Sequence, residues 1–249
     1  MTMPLLPLVY AAAGAPAQEK SFGDVNLEII YDDGDIVVVN KPAGMYVHPS
    51  PGHEKGTLSE ELTRRFPQMR DVGSRERPGV VHRLDAETSG VIVFAKTCRA
   101  YLKLREAFES HRNIRKTYLA VLHGAPKPAT GTLDTTIGRK PWDAKRMAVD
   151  APNGRRAITH WTVLEKRGGL SIVEFVIETG RMHQIRVHAA HLGHPIVGDS
   201  LYGDHAKDCR LPFKVGRQLL HAVQLEVNHP VTGKPMCFAA RPPSDIIFA

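Results

Sequence analysis

The chain has 249 residues, of which 42% are hydrophobic and 24% charged, a composition that excludes disordered and collagen-like chains. No run of about 18 apolar residues offers a membrane-spanning helix. The formal net charge of +7 favours a polyanionic partner such as nucleic acid, although a merely basic soluble protein carries the same charge.

In chain order, Pro4 to Ala17 is apolar, and Ala15-Pro16-Ala17 imitates a signal-peptidase site. No Lys or Arg precedes Lys20, however, and Pro4, Pro7 and Pro16 break the run, so residues 1–22 are expected to be a loose extension. Leu27 to Tyr31 and Ile36 to Asn40 read as an antiparallel hairpin around Asp32-Asp33-Gly34-Asp35. Thr57 to Phe66 reads as a helix. Arg99 to Arg112 reads as a second, with Leu102, Leu104 and Phe108 as its apolar members. Val91 to Ala95 and Lys116 to His123 read as strands, as do Ala157 to Leu164 and Leu170 to Glu178, a pair joined at Gly168-Gly169. A helix is predicted over Arg181 to Leu192, followed by Gly193 and Pro195, and Leu219 to Val227 and Pro235 to Ala240 close the chain as strands. No repeat and no dividing linker is visible. The expectation is an α+β fold: one domain with a mixed, mostly antiparallel central sheet flanked by helices and loops. Cys98, Cys209 and Cys237 are scattered and form no CxxC, so neither a disulfide framework nor a zinc site is expected, and a reducing cytoplasm fits.

Four segments could carry chemistry. In His82-Arg83-Leu84-Asp85, extended backbone would place Val81, Arg83 and Asp85 on one face, with Asp85 where a strand meets the Thr88-Ser89-Gly90 turn. A guanidinium nearby would keep that carboxylate ionised by lowering its pKa by about 1–3 units. A surface ion pair worth about 0–1 kcal/mol is the more ordinary reading of these residues alone. From Thr179 to His191, Met182, Ile185, Ala189 and Leu192 form an apolar stripe, with Arg181, Gln184, His188 and His191 beside it. Arg181 at the helix start could hold a buried anion, or the stripe could be a solvated face. His188, His191 and His194 raise a metal site, but no carboxylate completes a usual zinc set. Lys116 and Tyr118 share a strand face, where the Tyr could stack on a base or pack as an ordinary edge residue. Lastly, a loop from Arg139 to Arg156 carries Arg139, Lys140, Lys145, Arg146, Arg155 and Arg156 around Trp142, which suits contact with an RNA backbone or a solvated hairpin.

Together these segments resemble the RluA-type pseudouridine synthases. His82-Arg83-Leu84-Asp85 with Thr88-Ser89-Gly90 is similar to the signature around that family's catalytic aspartate. The similarity extends to Asn40 to Gly44, Lys116 to Ala120, Thr179 to His188, Gly193 to Asp199 and Leu220-His221-Ala222, in the family's order. Met182 departs from the small polar residue of many members. Many relatives also carry a small RNA-binding domain in front, which residues 1–22 are too few to form.

The resemblance implies a catalytic domain over residues 23–249 that isomerises uridine to pseudouridine in RNA, with neither metal nor organic cofactor. It implies Asp85 as the catalytic carboxylate, Arg181 as its ion partner, and Tyr118 stacked on the flipped uracil. Arg83 would fill the space the base leaves, and Ile185 would wall the pocket. Lys116, Arg155 and Arg156 are expected to contact the substrate. Ribosomal RNA is the expected partner, ahead of transfer RNA, for a cytoplasmic monomer with no membrane contact. The competing readings are an RNA-binding or remodelling protein without catalysis, and a nuclease built on His188 and His191.

Overall fold

The apolar run Ile36-Val37-Val38-Val39 has no polar alternation, the pattern of a strand buried on both faces. In the computed structural model, which describes residues 21–22 and 25–246, all four side chains are fully buried. The described residues form two compact units. One takes the chain up to Arg115 together with Ala222–Arg241, and the other takes Lys116–His221 together with residues 242–246.

The first unit opens with a short pair, β1 (Ser21–Phe22) and β2 (Val25–Asn26). The hairpin of β3 (Glu28–Asp32) and β4 (Ile36–Lys41) follows as predicted. Its turn is fixed by Asp33, whose Oδ1 accepts from the backbone N–H groups of Asp35 (2.8 Å) and Ile36 (2.9 Å). Helix α1 (Leu58–Arg65) is capped by Thr57, whose hydroxyl accepts from Glu60 N–H. The arginine-rich stretch after it holds a small antiparallel pair, β5 (Gly73–Ser74) and β6 (Arg77–Pro78). Strand β7 (Ser89–Ala95) pairs antiparallel with β4, Gly90 opposite Lys41 and Ala95 opposite Ile36. Helix α2 (Cys98–Ser110) is capped by Thr97 and ends at His111 in the left-handed conformation.

The second unit is an antiparallel sheet. Strands β8 (Ile114–His123), β9 (Thr130–Lys140), β10 (Asp143–Val149), β11 (Arg155–Arg167) and β12 (Leu170–Ile177) lie in the order β10-β9-β11-β12-β8, all antiparallel. In it β9–β10 and β11–β12 are hairpins, and the other neighbours are apart in sequence. Gly168 and Gly169, both at positive φ, make the two-residue turn between β11 and β12 that such twisted hairpins require. Helices α3 (Gln184–His191) and α4 (His205–Asp208) follow. The chain then returns to the first unit as β13 (Leu220–Asn228) and β14 (Pro235–Ala239), giving that unit the order β14-β13-β7-β4-β3. Its core joins Ile30, Val38, Val93, Leu104, Leu225 and Phe238. The α+β class and the mostly antiparallel sheet are as expected.

Several local expectations are corrected. Residues 81–85 do not run as a strand. They bend, with His82 Nε2 accepting from Val93 N–H at 3.1 Å and its ring stacked on Phe108, so the shared face proposed for Arg83 and Asp85 is lost. Helix α3 begins at Gln184 and not at Arg181, because His183 takes a left-handed φ of 56° and ends the preceding turn. The polar stripe of α3 is only partly solvated: Gln184 and His188 are buried, whereas His191 is exposed. Leu102 faces water at 65% exposure, and Ala100 takes its place in the core beside Leu104. The basic segment expected as a loop is mostly strand, β9 and β10 having too few apolar residues to show a period. The extension proposed for residues 1–22 lies outside the described residues, save the paired Ser21–Phe22.

Candidate active site

Asp85 lies in the first unit, half-buried, at the start of the turn that leads into β7. Its own carbonyl accepts from Thr88 N–H at 3.1 Å, which closes the turn. The next residue is tied down from a distance in sequence. Lys41, fully buried at the end of β4, donates from Nζ to the carbonyls of Pro42 (2.8 Å), Met45 (2.8 Å) and Ala86 (2.7 Å). An ammonium has three hydrogens, and these three acceptors match them. The Ala86 carbonyl also accepts from Gly44 N–H at 3.0 Å. The segment Asn40 to Gly44 thus holds the Asp85 turn, a role the residues did not announce beyond their place in the family's pattern.

Beyond the turn, Gly90 has φ +117, and a Cβ there would stand 2.2 Å from the Ala222 carbonyl oxygen. Only glycine allows β7 to approach β13 this closely. Arg83 is exposed on the same unit.

The remaining predicted residues belong to the second unit, where a buried polar network gathers several of them. Gln184, at the start of α3, uses both ends of its amide. Its Oε1 accepts from the Thr179 hydroxyl (2.8 Å) and from Arg181 N–H (2.9 Å), and its Nε2 donates to Ile158 O and Thr159 Oγ1 (2.9 Å each). The 179–181 turn is therefore clamped to β11. Arg181, half-buried, extends along β11 and donates from Nε to Arg156 O at 2.9 Å. Burial first, and then the Arg155 guanidinium, lower its pKa from the ordinary arginine value. Lys116 is buried at 7% exposure on β8 and donates from Nζ to Thr179 O at 3.1 Å. Burial, and secondarily Arg181, bring its pKa down to about 8. Two cations held this close in partial burial make a place suited to an anion.

His188 completes the network. Its Nδ1 lies 2.8 Å from Thr159 Oγ1 and its Nε2 3.0 Å from Thr135 Oγ1. Both ring nitrogens are thus engaged by threonine hydroxyls, and Thr159 Oγ1 also accepts from Gln184 Nε2. Burial, with His191 as the smaller cause, pushes His188 down to about 4, so it is neutral at physiological pH. The ring that invited a metal or nuclease reading is occupied in packing, and His194 Nδ1 is likewise engaged by His123 O at 2.9 Å.

Tyr118, on β8, is buried at 8% exposure, and Ile185 is buried on α3. Arg155 and Arg156 are exposed at the start of β11, but Arg156 is already forked onto Asp134 at 2.9 and 2.6 Å. Sequence reasoning missed the pair Arg186–Asp199, buried and bidentate at 2.7 and 2.8 Å. Asp199 Oδ1 also accepts from Leu201 and Tyr202 N–H, so this pair fixes the chain after α3. Both residues sit within the quoted motifs, yet nothing in their spacing links them.

Over residues 35–191 the sequence matches the RNA pseudouridylate synthase family. An uncharacterized RNA pseudouridine synthase of Chloroflexus aurantiacus is 48% identical over 207 residues, 83% of this chain and 63% of its own length. The ribosomal large subunit pseudouridine synthase D of Xanthomonas campestris is 44% identical over 236 residues, 90% of this chain and 68% of its own. The solved structure of human RNA pseudouridylate synthase domain containing 1 matches with a TM-score of 0.72 at 30% identity, covering 90% of this chain and 86% of that one. The chain belongs to the RNA pseudouridine synthase family. Within that family, its ordered motifs from Asn40 to Ala222 are those of the RluA type. It spans a little under two thirds of the Chloroflexus relative's length.

Proposed function

We propose that this protein isomerises uridine to pseudouridine in ribosomal RNA. The C1′–N1 glycosidic bond breaks, the uracil turns, and a C1′–C5 bond forms. The C5 hydrogen leaves and N1 ends protonated, so the change is balanced without any other reactant. Asp85 is the catalytic carboxylate, Arg181 the guanidinium that pairs with it, and Tyr118 the ring against the flipped base. Ile185 lines the pocket, Arg83 takes the space the base vacates, and Lys116, Arg155 and Arg156 meet the RNA. Flipping costs a few kcal/mol, which favours uridines already unpaired.

The observation that carries this reading is the Asp85 turn, a half-buried carboxylate whose neighbour Ala86 is stapled by a buried lysine. The name of the Xanthomonas relative supports ribosomal over transfer RNA. We further read residues 23–249 as the catalytic domain, acting as a monomer in the cytoplasm. Mapping pseudouridine in total RNA, with and without the gene, tests the function. Sites that vanish from ribosomal RNA on deletion, and return with the parent gene but not with Asp85→Asn, are the expected result. An unchanged map overturns it.

A further inference from the structure

We propose that Trp142, at the tip of the β9–β10 hairpin, is a stacking platform for an unpaired RNA base. The proposal rests on the RNA substrate argued above and deepens it. Lys140 pairs with Asp143, which leaves Pro141 and Trp142 as the turn between the strands. Trp142 stands at φ 67°, in the left-handed region. A turn led by proline calls for glycine or asparagine next, since only small or locally bonding residues enter that region at low cost. Tryptophan is a poor choice for the turn itself. Its side chain is also fully in water, at 104% exposure.

Trp142 therefore gains nothing from the fold at its position, and the surroundings indicate what it meets. Leu102, Leu164 and Phe213 are also exposed among the described residues, but Trp142 is set among cations. Arg139 and Lys140 precede it, and Lys145 and Arg146 follow. Asp143 is the acidic residue among them. It accepts from Lys145 N–H at 3.2 Å and lies 3.5 Å from Arg146. A register shift between Asp143 and Met147 takes the stretch that holds Lys145 and Arg146 out of the regular ladder, three and four residues beyond Trp142. An exposed indole with cationic residues on either side in the chain suits a flat ring whose two neighbours are phosphates, as a base in single-stranded RNA offers. A base within a duplex is covered on both faces and offers no such surface.

The test uses Trp142→Gly, Trp142→Phe and the parent, each as the full chain. Glycine suits the left-handed position, so the melting temperature should hold or rise. Binding of Trp142→Gly to an unpaired oligoribonucleotide should weaken about 5- to 150-fold, the loss of one stacked base at about 1–3 kcal/mol. Trp142→Phe should recover most of that loss, the slope of affinity against salt should not move, and affinity for a blunt RNA duplex should stay within twofold. In the parent, the RNA should shield the exposed indole from acrylamide quenching, whereas Trp161 is buried from the outset. Affinity of Trp142→Gly within twofold of the parent overturns the proposal, as does an indole equally open to quencher on saturating RNA. Shielding by added protein alone, with RNA affinity unmoved, overturns it too. If the parent makes pseudouridine and Trp142→Gly binds and reacts equally well, the platform falls and the function stands. If the parent modifies no RNA while Trp142→Gly loses the unpaired strand, the function falls and the platform stands.

Discussion

Asp85→Asn keeps the shape of the side chain and removes its charge. Positioned acid–base roles supply about 10²–10⁴-fold, and a covalent role adds to that. The variant should form no measurable pseudouridine on an RNA the parent modifies, with RNA affinity within a few-fold and a melting temperature that holds or rises. Product, affinity and melting measured together decide the matter, because a purely structural aspartate would lose stability and retain turnover. Arg181→Lys is the companion test. The charge remains but the planar fork is lost, together with the Nε hydrogen bond to Arg156 O. Turnover should drop at least tenfold with folding retained, and parent-like turnover would show that the guanidinium orients nothing.

Two buried groups make sharper demands on stability. Lys41→Met removes a donor from three carbonyls; Ala86 O keeps its bond from Gly44 N–H, whereas Pro42 O and Met45 O lose the lysine, each at a cost of about 1–3 kcal/mol that relaxation offsets in part. A loss of about 2–4 kcal/mol in urea unfolding is expected, together with slower turnover because the Asp85 turn is released. His188 acts through pH. Its folded pKa, about 4, lies below the ordinary value of 6.5. Between those values the unfolded chain binds a proton that the folded chain refuses. The associated stability is therefore present above about pH 6.5 and lost as pH falls towards 4, by about 3 kcal/mol in full. Parent and His188→Gln unfolding compared at pH 7, 5.5 and 4 should show a shallower acid loss in the variant. Parallel curves would mean that His188 titrates normally.

At the scale of elements, what the residues made legible depended on whether a period was present. The hairpin β3–β4, the strand β7 and the Gly168-Gly169 turn follow from apolar runs and turn chemistry, and all three are found. Strands β9 and β10 are rich in Thr, Gly, Lys and Arg. Their half-exposed faces carry no period, so ladder pairing rather than composition decides them. Helix α3 starts at Gln184 and not at Arg181 because His183 adopts the left-handed conformation, a backbone choice that helical periodicity cannot register. Those same elements revise the electrostatics of the basic region. Arg156 is neutralised by its fork onto Asp134, so Arg155 should be the stronger phosphate contact. Arg155→Ala is expected to lower the slope of log affinity against log salt by about 0.7–0.9, and Arg156→Ala by less. Equal slopes in both variants and the parent would place this strand start away from the RNA.

For the whole molecule, the order of motifs revealed the family while each motif alone stayed ambiguous. Arg83–Asp85 read most simply as a surface pair, and His188 could be read as a metal ligand. What no spacing could reveal is the buried scaffolding: Lys41 with Ala86, Gln184 with Ile158 and Thr159, Arg186 with Asp199. These contacts join segments whose separation is set by the fold, and they are where the chain's chemistry acquires its geometry.

The chain path also has a consequence during synthesis. The second unit is built almost wholly from one continuous stretch, Lys116–His221, with two of its strand pairs, β9–β10 and β11–β12, closed by two-residue turns, whereas the first needs Ala222–Arg241 before β13 and β14 can pair. On the ribosome the later-encoded unit can therefore pair its strands ahead of the earlier-encoded one, since β8 to β12 have all emerged before β13. Until β13 emerges, the backbone of β7 beside Gly90 is an open strand edge able to pair with another nascent chain. The edge that this glycine lets β13 cover so closely is thus also the edge that waits longest for its partner in the newborn protein.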